Sequence, residues 1–135
     1  MCLKIQDIDF NQNVSHKVYK VVTKKPGNTL HSTVFDYKWP FVGETAVSDR
    51  HETELGEDER ELGEAWEGFH FFTSFEDAKR HSKRNRQSTP RDFTFDRFEI
   101  LECEVQPEDY VAQGYWQGFP SVVYTKCKVL LNFAS

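Results

Sequence analysis

Little in this chain makes its chemistry easy to read. Three cysteines, Cys2, Cys103 and Cys127, are spread through 135 residues with no Cys-x-x-Cys pair, which leaves no basis for a disulfide framework or a zinc knuckle. No stretch approaches the roughly 18 apolar residues of a membrane span. The first residues, Met-Cys-Leu-Lys-Ile-Gln-Asp, break their apolar positions with charge, so neither a membrane protein nor a secretory leader is expected. Walker loops, GxGxxG, HExxH, GxSxG and EF-hand spacings are all missing. There is no internal repeat and no low-complexity tract. A reducing, cytoplasmic setting is the expectation, with no metal and no cofactor implied; nothing separates cytosol from nucleus.

What is present is aromatic and charged. Twelve Phe, five Tyr and three Trp accompany 29% charged residues, enough apolar material for a core without a metal or a disulfide. The length suits one domain, residues 1–135. A net charge of −5 argues against general nucleic-acid or anionic-membrane binding. The charge is unevenly placed. Residues 52–67 hold eight acids and one base, Arg60, whereas residues 79–91 hold six Lys or Arg, one His and no acid.

Periodicity gives the elements. In Lys17–Thr23, Val18, Lys20 and Val22 alternate with Tyr19 and Val21, which is a strand pattern. Pro26-Gly27 turns the chain toward a second strand, Thr29–Asp36. Residues 1–15 read as a poorly patterned lead-in, and about 43–67 as a mobile acidic loop with room for a short helix in Glu57–Trp66. Phe69–Phe72 is a short strand. Thr73 and Glu76 have the spacing of a capping box, so a helix should begin near Ser74 and run to about Asn85. Phe93–Val105 is strand-like, with a turn near Asp96-Arg97 or a bulge near Ile100. Pro107 starts one helical turn, Gly114–Pro120 is an aromatic loop, and Ser121–Phe133 is one long strand. The fold class expected is α+β, a mostly antiparallel twisted sheet with one main helix, about 74–85, and short helical turns.

Each candidate for chemistry has a plainer reading beside it. His70, at a strand end before a helix, could bind an anion or move a proton; it could equally be hydrogen-bonded in a half-buried sheet. Ser74 stands where helix amides could meet an anion, although Glu76 and Asp77 would repel it. Glu102 and Glu104 share one face of their strand, and Lys126 and Lys128 could sit opposite them as ordinary cross-strand pairs or as part of a site. Tyr124 joins this ligand-binding set. Trp39, Tyr115, Trp116 and Phe119, with Phe41, could form a pocket or a partner surface, or pack over a core edge. Cys103 and Cys127 read as inert core thiols. Lys79, Arg80, Lys83, Arg84 and Arg86 could touch phosphates, a reading the net acidity opposes.

The motifs Gly68-Phe-His-Phe-Phe-Thr-Ser-Phe-Glu-Asp-Ala, Leu101-Glu-Cys-Glu-Val, Pro107-Glu-Asp and Val122-Val-Tyr-Thr-Lys-x-Lys-Val-Leu resemble, in order, small domains without an established activity. More loosely, the strand, Ser/Thr turn, helix and later glutamate strand are similar to the ADP-ribosyltransferase-like split sheet. That similarity implies a turn at Thr73-Ser74 and a glutamate at Glu102 or Glu104. Lys17–Thr23 lacks the His-Gly-Thr or Arg-Gly pattern that would hold a nicotinamide dinucleotide. Function is therefore expected to be a protein-binding module with an unidentified protein partner; the alternative is an ADP-ribosyltransferase-like nucleotide-binding protein or enzyme. Nucleic acid is not an expected partner, and oligomeric state is open.

Overall fold

The computed structural model describes residues 3–25, 27, 29–32, 37–88 and 97–134. Its described residues form an α+β domain, a mostly antiparallel sheet with one long helix. The strands are β1 (Leu3–Ile5), β2 (His16–Lys25), β3 (Thr29–Ser32), β4 (Thr45–Val47), β5 (Glu64–Ala65), β6 (Phe69–Phe72), β7 (Arg97–Val105), β8 (Tyr110–Trp116), β9 (Phe119–Tyr124) and β10 (Lys126–Ala134). The helices are α1 (Glu57–Leu62) and α2 (Phe75–Ser88), with a 3-10 turn at Pro107–Asp109. The sheet order is β4-β10-β7-β2-β6-β9-β8-β1-β5, and β3 joins β2.

The sheet curls because β9 and β10 are one chain path that changes partners at Thr125. Before it, β9 lies between β6 and β8; after it, β10 lies between β7 and β4. Since β7 pairs with β2, and β2 touches β6, the pairings run in a ring around an interior. The interior holds Val18, Val22, Phe69, Phe71, Leu101, Cys103, Val105, Val122, Tyr124, Cys127 and Val129, capped by Trp39. Burying each of the larger of these is worth about 1.5–3 kcal/mol. Outside the ring, α2 covers Val21, Phe72, Ile100, Trp116 and Phe119 through Ala78, with Phe75 at its edge.

Several elements depart from the sequence expectation, each for a local reason. The strand expected over Ser121–Phe133 is broken: the inward residues are even-numbered before Thr125 (Val122, Tyr124) and odd-numbered after it (Cys127, Val129). The bulge expected near Ile100 lies instead in β10, between Val129 and Leu131. Strand β7 needs none, because both its faces are covered: Leu101 and Cys103 face the interior and Ile100 faces α2. The β10 bulge also changes the expected cross-strand pairs, for Glu104 lies opposite Lys128 but Glu102 lies opposite Leu131 and Lys126 opposite Val47. The aromatic segment 114–120 is a hairpin whose turn residues, Gln117 and Gly118, have φ of 50° and 84°. Such a primed turn follows the twist of the strands it joins.

The acidic 43–67 segment, expected as a loop, carries β4, α1 and β5. Residues 1–15 contain β1, whose Leu3 is fully buried between β8 and β5. Helix α2 is capped by Ser74, not Thr73: its Oγ accepts from the Asp77 amide at 3.3 Å. The helix reaches Ser88, three residues past the expected Asn85. Residues 33–36 of the second expected strand and 93–96 of the third lie outside the described residues.

Candidate functional site

The site grows from a seam in the sheet. One edge of β2 is fully paired with β7, from His16 to Lys24. Its other edge is shared: β6 takes Tyr19 alone, and β3 takes over from Val22. Lys20 and Val21 fall between the two neighbours. Here β2 and β6 part, and a cleft of about 360 Å³ opens, lined by Lys20, Ser32, Tyr37, Ser48, Asp49, Arg50, Glu67, Gly68, Phe69 and His70.

Alternation puts Lys20 on the interior phase of β2, between Val18 and Val22. It is only 8% exposed. Its Nζ donates to the His70 carbonyl oxygen at 3.0 Å, and no carboxylate pairs with it among the described residues. Burial drives its pKa from the ordinary 10.5 down to about 8, because an ammonium loses its hydration there without gaining a counter-charge. The neighbouring Cys103 and Cys127 act in the opposite direction but do not offset the burial. Cys127, hydrogen-bonded with Cys103 and buried, is held well above the ordinary thiol range, so that thiol stays neutral.

His70 meets the cleft from β6. Its side chain lies on the strand face opposite Phe69 and Phe71, with Nδ1 3.2 Å from the Gly68 carbonyl oxygen and Nε2 3.3 Å from that of Ala65. A neutral imidazole has one N–H and donates to one of the two. Burial first, and the Lys20 charge second, lower its pKa to about 4 despite these acceptors. His70 is thus a neutral, positioned ring whose backbone carbonyl holds the lysine. Gly68 lets the strand begin at this lip: its φ is +109°, and a Cβ there would stand 2.8 Å from Val123 Cγ1.

The floor toward α1 is built by Arg50, which is 4% exposed. Its guanidinium donates to the carbonyl oxygens of Glu52, Glu54 and Glu67 and, at 2.8 Å, to Glu59 Oε2. The same Glu59 carboxylate accepts from the amides of Gly56 and Trp66. Burial alone would raise the Glu59 pKa, but the bonds from Arg50, Gly56 and Trp66 outweigh it and hold the carboxyl below its ordinary value. Arg50 is therefore committed to folding the acidic segment. The lining also includes the Lys20 amine, the Tyr37 hydroxyl, which burial shifts upward and the Val47 backbone engages, and the exposed acids Asp49 and Glu67. Among the described residues no group of three or more His, Cys, Asp or Glu is arranged to hold a metal ion.

The chain matches no family model, no curated protein and no solved structure.

Of the residues singled out from sequence, the cleft gathers His70 alone. Glu102 and Glu104 do not line it; Glu102 accepts from the Tyr19 hydroxyl at 3.2 Å and Glu104 from Gln106 Nε2 at 3.2 Å. Ser74 is spent on the cap of α2. Tyr124 is fully buried, its hydroxyl without a hydrogen-bond partner among the described residues and its pKa raised by burial. Trp39, Trp116 and Phe119 are buried core residues, and Tyr115 is half-buried beside Pro120 and Lys4. Trp39 stacks on Phe69 at 4.7 Å and donates Nε1 to Ser32 Oγ at 2.9 Å.

Sequence reasoning missed Lys20, Tyr37 and the Arg50–Glu59 pair. A signal for Lys20 existed: a lysine in the middle of a valine-flanked apolar phase has to be buried or snorkel away. Nothing local marks Arg50, whose partners lie 2–17 residues ahead and meet only through the fold.

Proposed function

We propose that this domain binds a small ligand carrying a carboxylate or phosphate in the β2–β6 cleft, with Lys20 as the cation that receives it. The observation that carries this reading is a buried ammonium with a carbonyl as its hydrogen-bond partner and an open cleft at its side. A charge kept in so costly a place is more characteristic of a site than of a core. The cleft volume falls within the range of small-molecule pockets. Mononucleotide ligands belong to the class it would take. The reading is one of binding and not of ADP-ribosyl transfer, since Glu102 and Glu104 lie away from the cleft. Free, buried Cys103 and Cys127 support a reducing, cytoplasmic setting, and no helix among the described residues is long and apolar enough to cross a membrane.

A thermal-shift series with inorganic pyrophosphate, adenine and nicotinamide nucleotides and citrate tests it. A ligand at about 100 times its Kd stabilises by roughly 2.7 kcal/mol. The shift should occur with at least one anion and vanish in Lys20→Met; a shift retained in the variant, or none with any anion, removes the reading.

A second observation supports a protein-binding surface. Phe41 is 80% exposed and Val42 54% exposed, side by side on the turn before β4. If a second copy of the chain covers them, sedimentation velocity will show a concentration-dependent dimer that Phe41→Ser abolishes; a monomer at every concentration excludes that partner.

A further inference from the structure

We propose that Lys20 forms an imine with a ligand that carries an aldehyde or ketone next to its anionic group, which rests on the anion-binding reading above. The amine sits at the wall of the cleft, held by a hydrogen bond to the His70 carbonyl oxygen. When the amine is neutral, that N–H···O bond turns its lone pair away from the carbonyl and leaves it free to attack. No carboxylate among the described residues fixes the amine in its charged form. Its lowered pKa leaves roughly a quarter of it neutral at pH 7.5, against about one part in a thousand for an ordinary lysine. Desolvated lysines of this kind are the ones that carry carbonyl chemistry.

The step balances without an oxidant or a reductant. The nitrogen lone pair forms a C–N bond to the carbonyl carbon, and the C=O π pair moves to oxygen, which takes a proton. The nitrogen releases one proton. The hydroxyl then leaves as water after taking a second, and the nitrogen pair closes the C=N bond. Amine, carbonyl and one proton thus give the protonated imine and water, and release of its remaining N–H proton gives the neutral imine. Tyr37, Asp49 and Glu67 line the same cleft, so titratable groups and solvent that could exchange these protons share it with the amine. Once protonated, the imine keeps the positive charge that the anionic group of the ligand requires. Charge complementarity thus survives the reaction.

The test uses the full chain with two carbonyl probes, glyoxylate and glyceraldehyde 3-phosphate, each followed by cyanoborohydride and peptide mapping. The expected result is labelling of Lys20 about tenfold or more faster than the exposed Lys79 and Lys83 with at least one probe; the probe that works tells a 2-oxo acid from a phosphorylated aldehyde. Lys20→Arg, which keeps the cation but cannot form an imine, should lose the label and keep its circular dichroism spectrum. Lys20 labelled no faster than Lys79 overturns the proposal. Glycolate and glycerol 3-phosphate, which lack the carbonyl, separate the two failures. If either still raises the Tm while Lys20 stays unlabelled, the imine falls and anion binding stands; if neither probe nor analogue acts, both fall.

Discussion

Replacing Lys20 by methionine should stabilise this protein, although the lysine is buried and hydrogen-bonded. The lowering of its pKa from 10.5 to about 8 means that the folded state carries the protonated amine at a cost of about 3 kcal/mol at neutral pH. Methionine fills a similar unbranched volume without charge. It forfeits the bond to the His70 carbonyl, worth about 1 kcal/mol. The net expectation at pH 7 is a gain of about 2 kcal/mol, or about 8 °C in Tm for a chain of this size. The pH dependence carries the sign. Because the folded pKa lies below the unfolded one, the unfolded chain holds more protons between about pH 8 and 10.5, so wild-type stability rises across that window. The cost is present in full below pH 8 and gone above 10.5. The difference between variant and wild type should therefore be largest at pH 7 and shrink to the lost hydrogen bond, with reversed sign, by pH 10.5. Urea unfolding monitored by tryptophan fluorescence at four or more pH values reads this directly. A variant less stable than wild type at pH 7, or a difference that does not change with pH, would falsify the account of Lys20 as an uncompensated buried cation.

Further expectations concern the frame around the cleft. Glu59→Ala strands a buried guanidinium and should cost about 3 kcal/mol in chemical denaturation, whereas Glu57→Ala, an exposed site on the same helix, should change little. His70 is held neutral at a pKa of about 4, against 6.5 when free, so stability should fall as pH drops from 6.5 toward 4 and His70→Asn should flatten that limb; an unchanged acid limb rejects the assignment. A Cβ at Gly114 would stand 1.8 Å from the Lys4 carbonyl oxygen, so Gly114→Ala should force β1 off β8 at a cost of about 3 kcal/mol, visible as lost amide protection in Leu3–Ile5. Ser74→Ala removes the cap of α2 and should cost about 1 kcal/mol; a helix that starts at Thr73 would show the loss in Thr73→Ala instead.

What the sequence made legible was local. Strand β2 follows from the Val18, Lys20, Val22 alternation, β6 from three phenylalanines around His70 after Gly68, and α2 from hydroxyl residues followed by acids. What it hid depends on contacts between distant segments. The interior phase of β9 and β10 shifts at Thr125 because the chain leaves one set of partners for another, and no residue type announces such a change. The Gln117-Gly118 turn was readable in principle, yet the aromatics around it suggested a surface loop; Trp116 and Phe119 are instead drawn under α2, where they flank Phe72. The cleft itself has no motif. It exists because β3 and β6 compete for one edge of β2 and neither covers Lys20. Acidic residues 52–67 looked like a solvated run, but Arg50 and the Gly56 and Trp66 amides together turn one of them, Glu59, into a buried anchor.

The most direct measurement on the central claim is an NMR titration of the Lys20 side-chain amine, first alone and then with saturating pyrophosphate or citrate. The account predicts a midpoint near 8 in the free protein, moved upward by at least one of the two anions because a neighbouring negative charge favours the ammonium. A free midpoint at the ordinary 10.5, or a lowered midpoint that neither anion moves, would contradict Lys20 as an anion receptor.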